Sequence, residues 1–333
     1  MTEDALDPET RARIRRDLDR LEERLYDDVE GQHRAGGPAD DAALRAAALP
    51  ESAQLLYARY DGIEVAMGEA RLFALDELAD ATARAEAEGV LRPGDRVVGE
   101  RGRQWMVLPE DPWAEGADVV AVDEDGDRRP EASTLVALVL GWLAEASVLY
   151  GDDGEFRDDV FADEGGLLPD AERKLLRRRL DVDPDAPHTR LRLAQRLRAE
   201  EKFRGALKEV ELTLRRAPEY AWAHHEAGRI HAALGQDEAA ARAHAKAAEH
   251  ASDPALAAYF AAWAARRAPE QSRERFAQQV LTHRPDFVVG QIKAAQLRID
   301  DDDLPAAREL VALGLAVAPH NVELLDLQRR LTD

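Results

Sequence analysis

The residues best suited to hold a metal are His224, His225 and His231, but their spacing is wrong for it. A zinc-protease helix needs two histidines four apart with a glutamate after the first, and here His225-Glu226-Ala227-Gly228 runs into Arg229. The acidic run Asp123-Glu124-Asp125-Gly126-Asp127 supplies half of a calcium loop. Its twelfth position should be a bidentate glutamate but is Thr134 counted from Asp123, or Val136 counted from Asp125, so the run reads as a solvated hairpin tip. Gly94, Gly99 and Gly102 do not space as a phosphate-binding loop. Ser52, Ser133 and Ser147 lie in helical contexts with no histidine close in sequence to act as base. The chain has no cysteine, so it has neither disulfides nor thiolate metal sites. No set of nucleophile, base and metal emerges, and the expectation is a non-enzyme with no cofactor and no metal. What remains is recognition. Trp113 stands among Glu110, Asp111 and Asp118, a composition suited to a protein interface, whereas Trp105 reads as core.

The charge balance says what such an interface could recognise. Asp and Glu number 67 against 45 Lys and Arg, a net charge of −22. Residues 1–165 hold 41 acids and 18 arginines, net −23, while residues 166–333 are net +1, and all five lysines lie after residue 173. An acidic first half repels nucleic acid and anionic membranes and favours a basic protein partner. The first 25 residues contain no apolar stretch of the signal-peptide kind, and the longest apolar run, residues 135–143, is too short to span a bilayer. The expectation is a cytoplasmic protein in two parts.

The elements that must position these residues differ between the halves. Pro184, Pro218, Pro285 and Pro319 are separated by 34, 67 and 34 residues, the period of a helical-hairpin array. In a first repeat, residues 187–220, one helix carries Leu191, Leu193, Ala194 and Leu197, and a turn follows at residues 200–202. A second helix carries Phe203, Ala206, Leu207, Val210 and Leu214. Small residues at Ala194, Ala206, Gly228, Ala240, Ala247, Ala295, Ala307 and Gly314 mark where paired helices touch, and Gly235 marks a turn. A third repeat, about 255–285, is short, with Pro269 in place of the turn glycine. The run Asp300-Asp301-Asp302-Asp303 reads as an inter-helix turn, and residues 322–331 as a final covering helix.

In the first half, helices are predicted at 8–29, 41–48, 50–62, 76–89 and 133–150, with strands at 70–74, 96–99, 104–108 and 118–123. Helices, then strands, then a helix, without βαβ alternation, predict an α+β domain with an antiparallel sheet. The predicted organisation is an N-terminal helix and turn-rich linker (1–36), the α+β domain (37–150), an acidic linker (151–169) and the helical array with its capping helix (170–333).

At the repeat positions just named, residues 187–331 resemble tetratricopeptide (TPR) repeats, although His224 and His231 stand where Trp and Tyr are usual. That resemblance implies a concave protein-binding face formed here by Gln195, Arg198, Trp222, His225, Arg229, Gln296 and Ile299. Residues 40–150 resemble the SUKH superfamily, through Leu49-Pro50, Tyr57 and Tyr60 before Gly62, Leu72-Phe73, the strands at Trp105-Met106-Val107 and 119–122, and the helix after Ala132-Ser133. The acidic middle, 109–118, is shorter than in many relatives. This second resemblance implies a protein-interaction domain, often toxin-neutralising, whose binding residues here would be Glu64, Glu69, Glu110, Asp111, Trp113 and Asp118. Together they imply an immunity-type protein that occludes a basic toxin. The competing expectation is a scaffold or regulatory adaptor with no toxin partner. Oligomeric state is not legible in the sequence.

Overall fold

Alternation of apolar residues along the strands, with sides switching at each hairpin, builds one seven-stranded antiparallel sheet in strict sequence order, β1 to β7. The computed structural model describes residues 6–26, 32–151, 154–163 and 165–332. The strands are β1 (Arg34–Ala35), β2 (Ile63–Val65), β3 (Ala70–Leu72), β4 (Arg96–Arg101), β5 (Gln104–Leu108), β6 (Val119–Val122) and β7 (Arg128–Ala132). Helices α1 (Pro8–Tyr26), α2 (Asp41–Ala47) and α3 (Glu51–Tyr57) come before and between the first strands. Helix α4 (Leu78–Ala87) follows β3, the single turn α5 (Pro112–Glu115) joins β5 to β6, and α6 (Leu135–Leu149) follows β7. The chain divides into two compact units, Met1–Arg196 with Arg215–Pro218, and Leu197–Leu214 with Glu219–Asp333.

In the first unit the two faces of the sheet bury different sets. Met106, Leu108, Val119 and Ala121 join Ile14, Leu18, Leu21, Leu56, Tyr57 and most of α6 in the larger core. On the other face Val97, Val107, Val120 and Val122 pack with Phe73 and with Ala81 and Ala85 of α4, and Trp105 lies half-buried against them. Helix α6 is apolar on all sides because α1, α3, the sheet and α7 (Pro169–Val182) surround it. Thr134 caps its start, accepting from Ala137 N at 3.0 Å. The buried Tyr57 hydroxyl donates to Phe73 O at 2.9 Å, tying α3 to the end of β3. Gly99 is required where β3 and β4 meet, since a Cβ there would lie 2.4 Å from Arg71 O.

Three of the seven strands were not predicted. Arg34–Ala35 fell in the turn-rich linker, Ile63–Val65 is too short to show alternation, and Arg128–Ala132 contains Pro130. That proline is tolerated because β7 is an edge strand, with only β6 beside it. The predicted end of the first helix at Val29 lies outside the described residues, and parts of the predicted acidic linker do as well. The Asp123–Asp127 run turns the β6–β7 hairpin, with Asp123 Oδ1 accepting from Asp125 N and Asp127 N. Helix α8 (Pro187–Ala199) follows α7, and the first unit ends within it.

The second unit is helical throughout its described residues. It holds most of α9 (Phe203–Arg216), then α10 (Ala221–Ala233), α11 (Asp237–Glu249), α12 (Pro254–Arg267), α13 (Glu270–His283), α14 (Phe287–Asp300), α15 (Leu304–Val317) and α16 (Val322–Thr332). Helix α10 packs on α11, α11 on α12 and α12 on α13; α15 packs on α12, α13, α14 and α16. The periodic prolines act through the residue before them, which they exclude from the helical region. Asp183, Arg284 and Ala318 have ψ of 83°, 88° and 77°, and each stops its helix. Between helices, Glu201, Gly235 and Asp302 adopt left-handed φ of 58°, 72° and 60°. These turn positions are themselves 34 and 67 residues apart, the spacing of the prolines. At Pro269, α12 ends and α13 begins with no such turn. Helix α16 covers the last pair with Leu324, Leu327 and Leu331, each worth about 1.5–3 kcal/mol when buried.

Gly228 sits where α10 meets α11, and a Cβ there would fall 2.4 Å from the His244 ring. Gly228→Ala is therefore expected to destabilise the second unit by about 1–3 kcal/mol through overpacking, read as a lower urea midpoint. Gly205→Ala, at a site where the nearest atom is the flexible end of Leu197 at 3.5 Å, is expected to have no comparable cost.

Candidate functional site

The six residues expected to bind a partner in the first unit fall into two groups. Four gather at the β5–β6 connection. Asp111 caps α5 by accepting from Trp113 N at 3.0 Å and Ala114 N at 3.1 Å, and this turn presents the Trp113 ring with 85% of its surface exposed. Beside it opens a cleft of about 530 Å³, with apolar walls from Leu6, Pro50, Leu108, Pro109 and Pro112. Its charged groups are Asp7, Glu51, Asp118 and Arg216. Glu51 is engaged by Arg11 at 2.7 Å. Burial pushes the Asp118 carboxyl up to about 6, against the pull of Arg216 and Arg13. Glu110 is exposed next to the same connection. The other two, Glu64 and Glu69, lie on β2 and just before β3. Glu64 faces Arg71 across the β2–β3 pair at 3.7 Å, so it is already partly neutralised.

The residues expected on a concave helical face also separate. Arg198 donates to Glu226 at 2.5 Å, and Arg229 is half-exposed one turn on from His225. His225 does not line an open face, and Trp222 is only partly exposed. His225 is buried, its ring 4.8 Å from His244, 4.9 Å from Phe260 and 5.6 Å from Trp263, and Trp222 meets Phe260 edge-on at 5.1 Å. The TPR resemblance implies a concave face at these two residues, but the small residues of α10 and α11 bring the helices close enough to enclose the His225 ring and to half-bury Trp222. Gln296 and Ile299 sit apart on α14. Gln296 is exposed and donates to Glu323 at 3.3 Å, while Ile299 packs against the core that includes Ala295 and Leu324. Gln195 falls within the first unit.

One arrangement went unread in the sequence because its members come from four separate elements. Arg101 of β4 pairs with Glu145 of α6, Glu145 lies 3.6 Å from Arg179 of α7, and Arg179 pairs with Glu131 of β7. Burial alone would raise Glu131, but the Arg179 guanidinium brings it down to about 2. Burial lowers His188 to about 4, aided by Arg179 and Arg192. This chain of alternating charges lines a second cavity of about 610 Å³.

No family model and no curated protein matches the chain. No described helix is long and apolar enough to cross a membrane. Among the described residues, no group of three or more His, Asp or Glu converges to hold a metal ion.

The His225–His244 pair sets a pH dependence. Burial lowers both imidazoles, His244 to about 3 and His225 well below the ordinary 6.5. The unfolded chain thus takes up protons first as pH falls below 6.5, and stability present above that value is lost on acidification. Between pH 7 and 5 each buried imidazole is expected to remove about 2 kcal/mol. Urea unfolding at the two pH values tests this, and His244→Phe should flatten the dependence.

Proposed function

We propose that the chain is a non-enzymatic protein-binding protein of the immunity type. In this reading a SUKH-like first unit occludes a basic partner, and a TPR-like helical array offers a second protein-binding surface. The observation that carries the reading is Trp113. A tryptophan held out from the surface by a capped turn, beside a cleft and among Glu110, Asp111 and Asp118, has no role in its own core. Burying such a ring against a partner yields a large return in apolar contact, and the carboxylates around it select cations. The acid excess of residues 1–165 acts in the same direction at longer range.

The array reading is supported by the shared spacing of prolines and left-handed turns. Its second surface would lie at α14 and α16, where Val289, Leu297 and Val322 are exposed beside Gln296.

Capture of partners by the tagged full chain from its native cells, in low and high salt, tests the proposal. A single basic protein is expected, lost in high salt. Trp113→Ala should weaken its binding by about 2 kcal/mol or more, roughly thirtyfold. Binding should also weaken from pH 7 to 5 as the Asp118 carboxyl, which titrates near 6, loses its charge. Several partners indifferent to salt and to Trp113→Ala would make the chain a scaffold and end the immunity reading.

A further inference from the structure

The Trp113 cleft holds one carboxylate that the chain itself leaves unmatched. Three carboxyl groups stand on its walls, those of Asp7, Glu51 and Asp118. Asp7 Oδ1 accepts from Glu9 N at 2.9 Å and Thr10 N at 3.0 Å, and so caps the start of α1. Glu51 accepts from Leu6 N at 2.9 Å and is paired with Arg11 at 2.7 Å. Among the described residues, Asp118 makes no hydrogen bond and no ion pair; Arg216 and Arg13 attract it without bonding to it. Its place is set by the backbone beside it. Gly116 has a φ of 70° and lies so close to Ala217 that a Cβ would fall 2.5 Å from Ala217 Cα. That contact holds residues 215–218 against the connection that carries Asp118. The carboxylate is half-buried on the cleft wall, and its burial is not offset by the two arginines.

This unmet carboxylate narrows the occupant. A purely apolar side chain would strip water from an ionised group and return nothing to it. An acidic one would be repelled by Asp118 and by the exposed Glu110 and Asp111. A hard metal ion takes several oxygen ligands, and the other two carboxylates of the cleft are engaged. Two carboxylate oxygens without donors match a planar guanidinium, which offers two parallel N–H groups, better than an ammonium, which acts as a point charge. The apolar walls at Leu6, Leu108, Pro109 and Pro112 suit the methylene stem behind such a head. We infer that the cleft receives one arginine side chain of a protein segment, its guanidinium paired with both oxygens of Asp118 and its stem along the apolar walls. This inference rests on the reading of the cleft as the site for a basic partner and names the group that partner inserts. A volume of about 530 Å³ admits a long side chain rather than a helix. The Trp113 ring, 85% exposed, leaves contact area for the residues flanking the arginine, which a free amino acid would not supply.

Titration of the full chain with blocked peptides, acetyl-Gly-Ala-X-Ala-Gly-amide, tests the inference. X is arginine, lysine or citrulline, the uncharged isostere of arginine, and free arginine serves as a further probe. Binding is read from the indole N–H resonance of Trp113, assigned by its loss in Trp113→Ala. The arginine peptide is expected to shift this resonance saturably. The citrulline peptide should bind at least about tenfold more weakly, the size of a charge-assisted hydrogen bond, with the lysine peptide and free arginine also weaker than the arginine peptide. Asp118→Asn, which keeps the side-chain shape, should bring the arginine and citrulline peptides to equal affinity. The inference is overturned if the arginine peptide gives no saturable shift, or if citrulline, lysine or free arginine binds the unmodified chain equally well. An arginine preference that survives Asp118→Asn overturns it too. Such failures leave the basic-partner reading standing while capture of the partner from cells still depends on Trp113; capture indifferent to Trp113→Ala ends both.

Discussion

Burial of α6 is the constraint on which the first unit depends. Twelve residues of this helix are buried, and they face every direction around its axis. Such a helix has no solvent side and must be enclosed. The sheet takes one side, α1 and α3 take others, and α7 closes the last. Each large side chain removed from water contributes about 1.5–3 kcal/mol, far more than any surface ion pair of this acidic unit could. The apolar run that resembles a short membrane segment in isolation is therefore the centre of a packed layer.

Enclosing α6 also encloses its one charge. Glu145 cannot stay in the core alone, and Arg101 and Arg179 converge on it. Arg179 in turn brings in Glu131. A buried pair of this kind adds little net stability over apolar packing, yet removing one partner is costly, so the chain pins α7 to the sheet in a single arrangement. Helix α7 also returns Arg173, Lys174, Arg177 and Arg178 to a unit otherwise rich in carboxylates. The acid excess of the first unit is thus not uniform, because α7 mixes both signs.

The helical unit solves a different problem. Its helices approach closely because alanine and glycine stand at their contacts, with Ala240, Ala247, Ala295 and Ala307 all fully buried. Close approach leaves little room for water, and this is why Trp222, His225, His244 and Trp263 retain buried ring nitrogens without partners. Burial holds these histidines neutral, and aromatic contacts replace the hydrogen bonds they forgo.

Where the chain must stop a helix, the sequence alone was sufficient, because a proline acts on its own neighbour and needs no distant partner. Pro184, Pro285 and Pro319 each end a helix, and the turn at Gly235 follows from a residue free to adopt positive φ. The small residues at helix contacts and the long strands β4 to β6 were legible for the same reason: their signal is a local period. Tertiary structure decided the rest. Strands β1, β2 and β7 exist because neighbouring strands supply their hydrogen bonds, not because of their own two to five residues. The TPR resemblance implies a binding face at His225 and Trp222, whereas α11 and α12 bury the His225 ring and half-bury Trp222. Trp113 could be singled out by its acidic neighbours, but its exposure depended on where the β5–β6 connection turns. The Arg101–Glu145–Arg179–Glu131 chain joins residues up to 78 positions apart and has no local signature, since charge pairing at such range is a property of the fold.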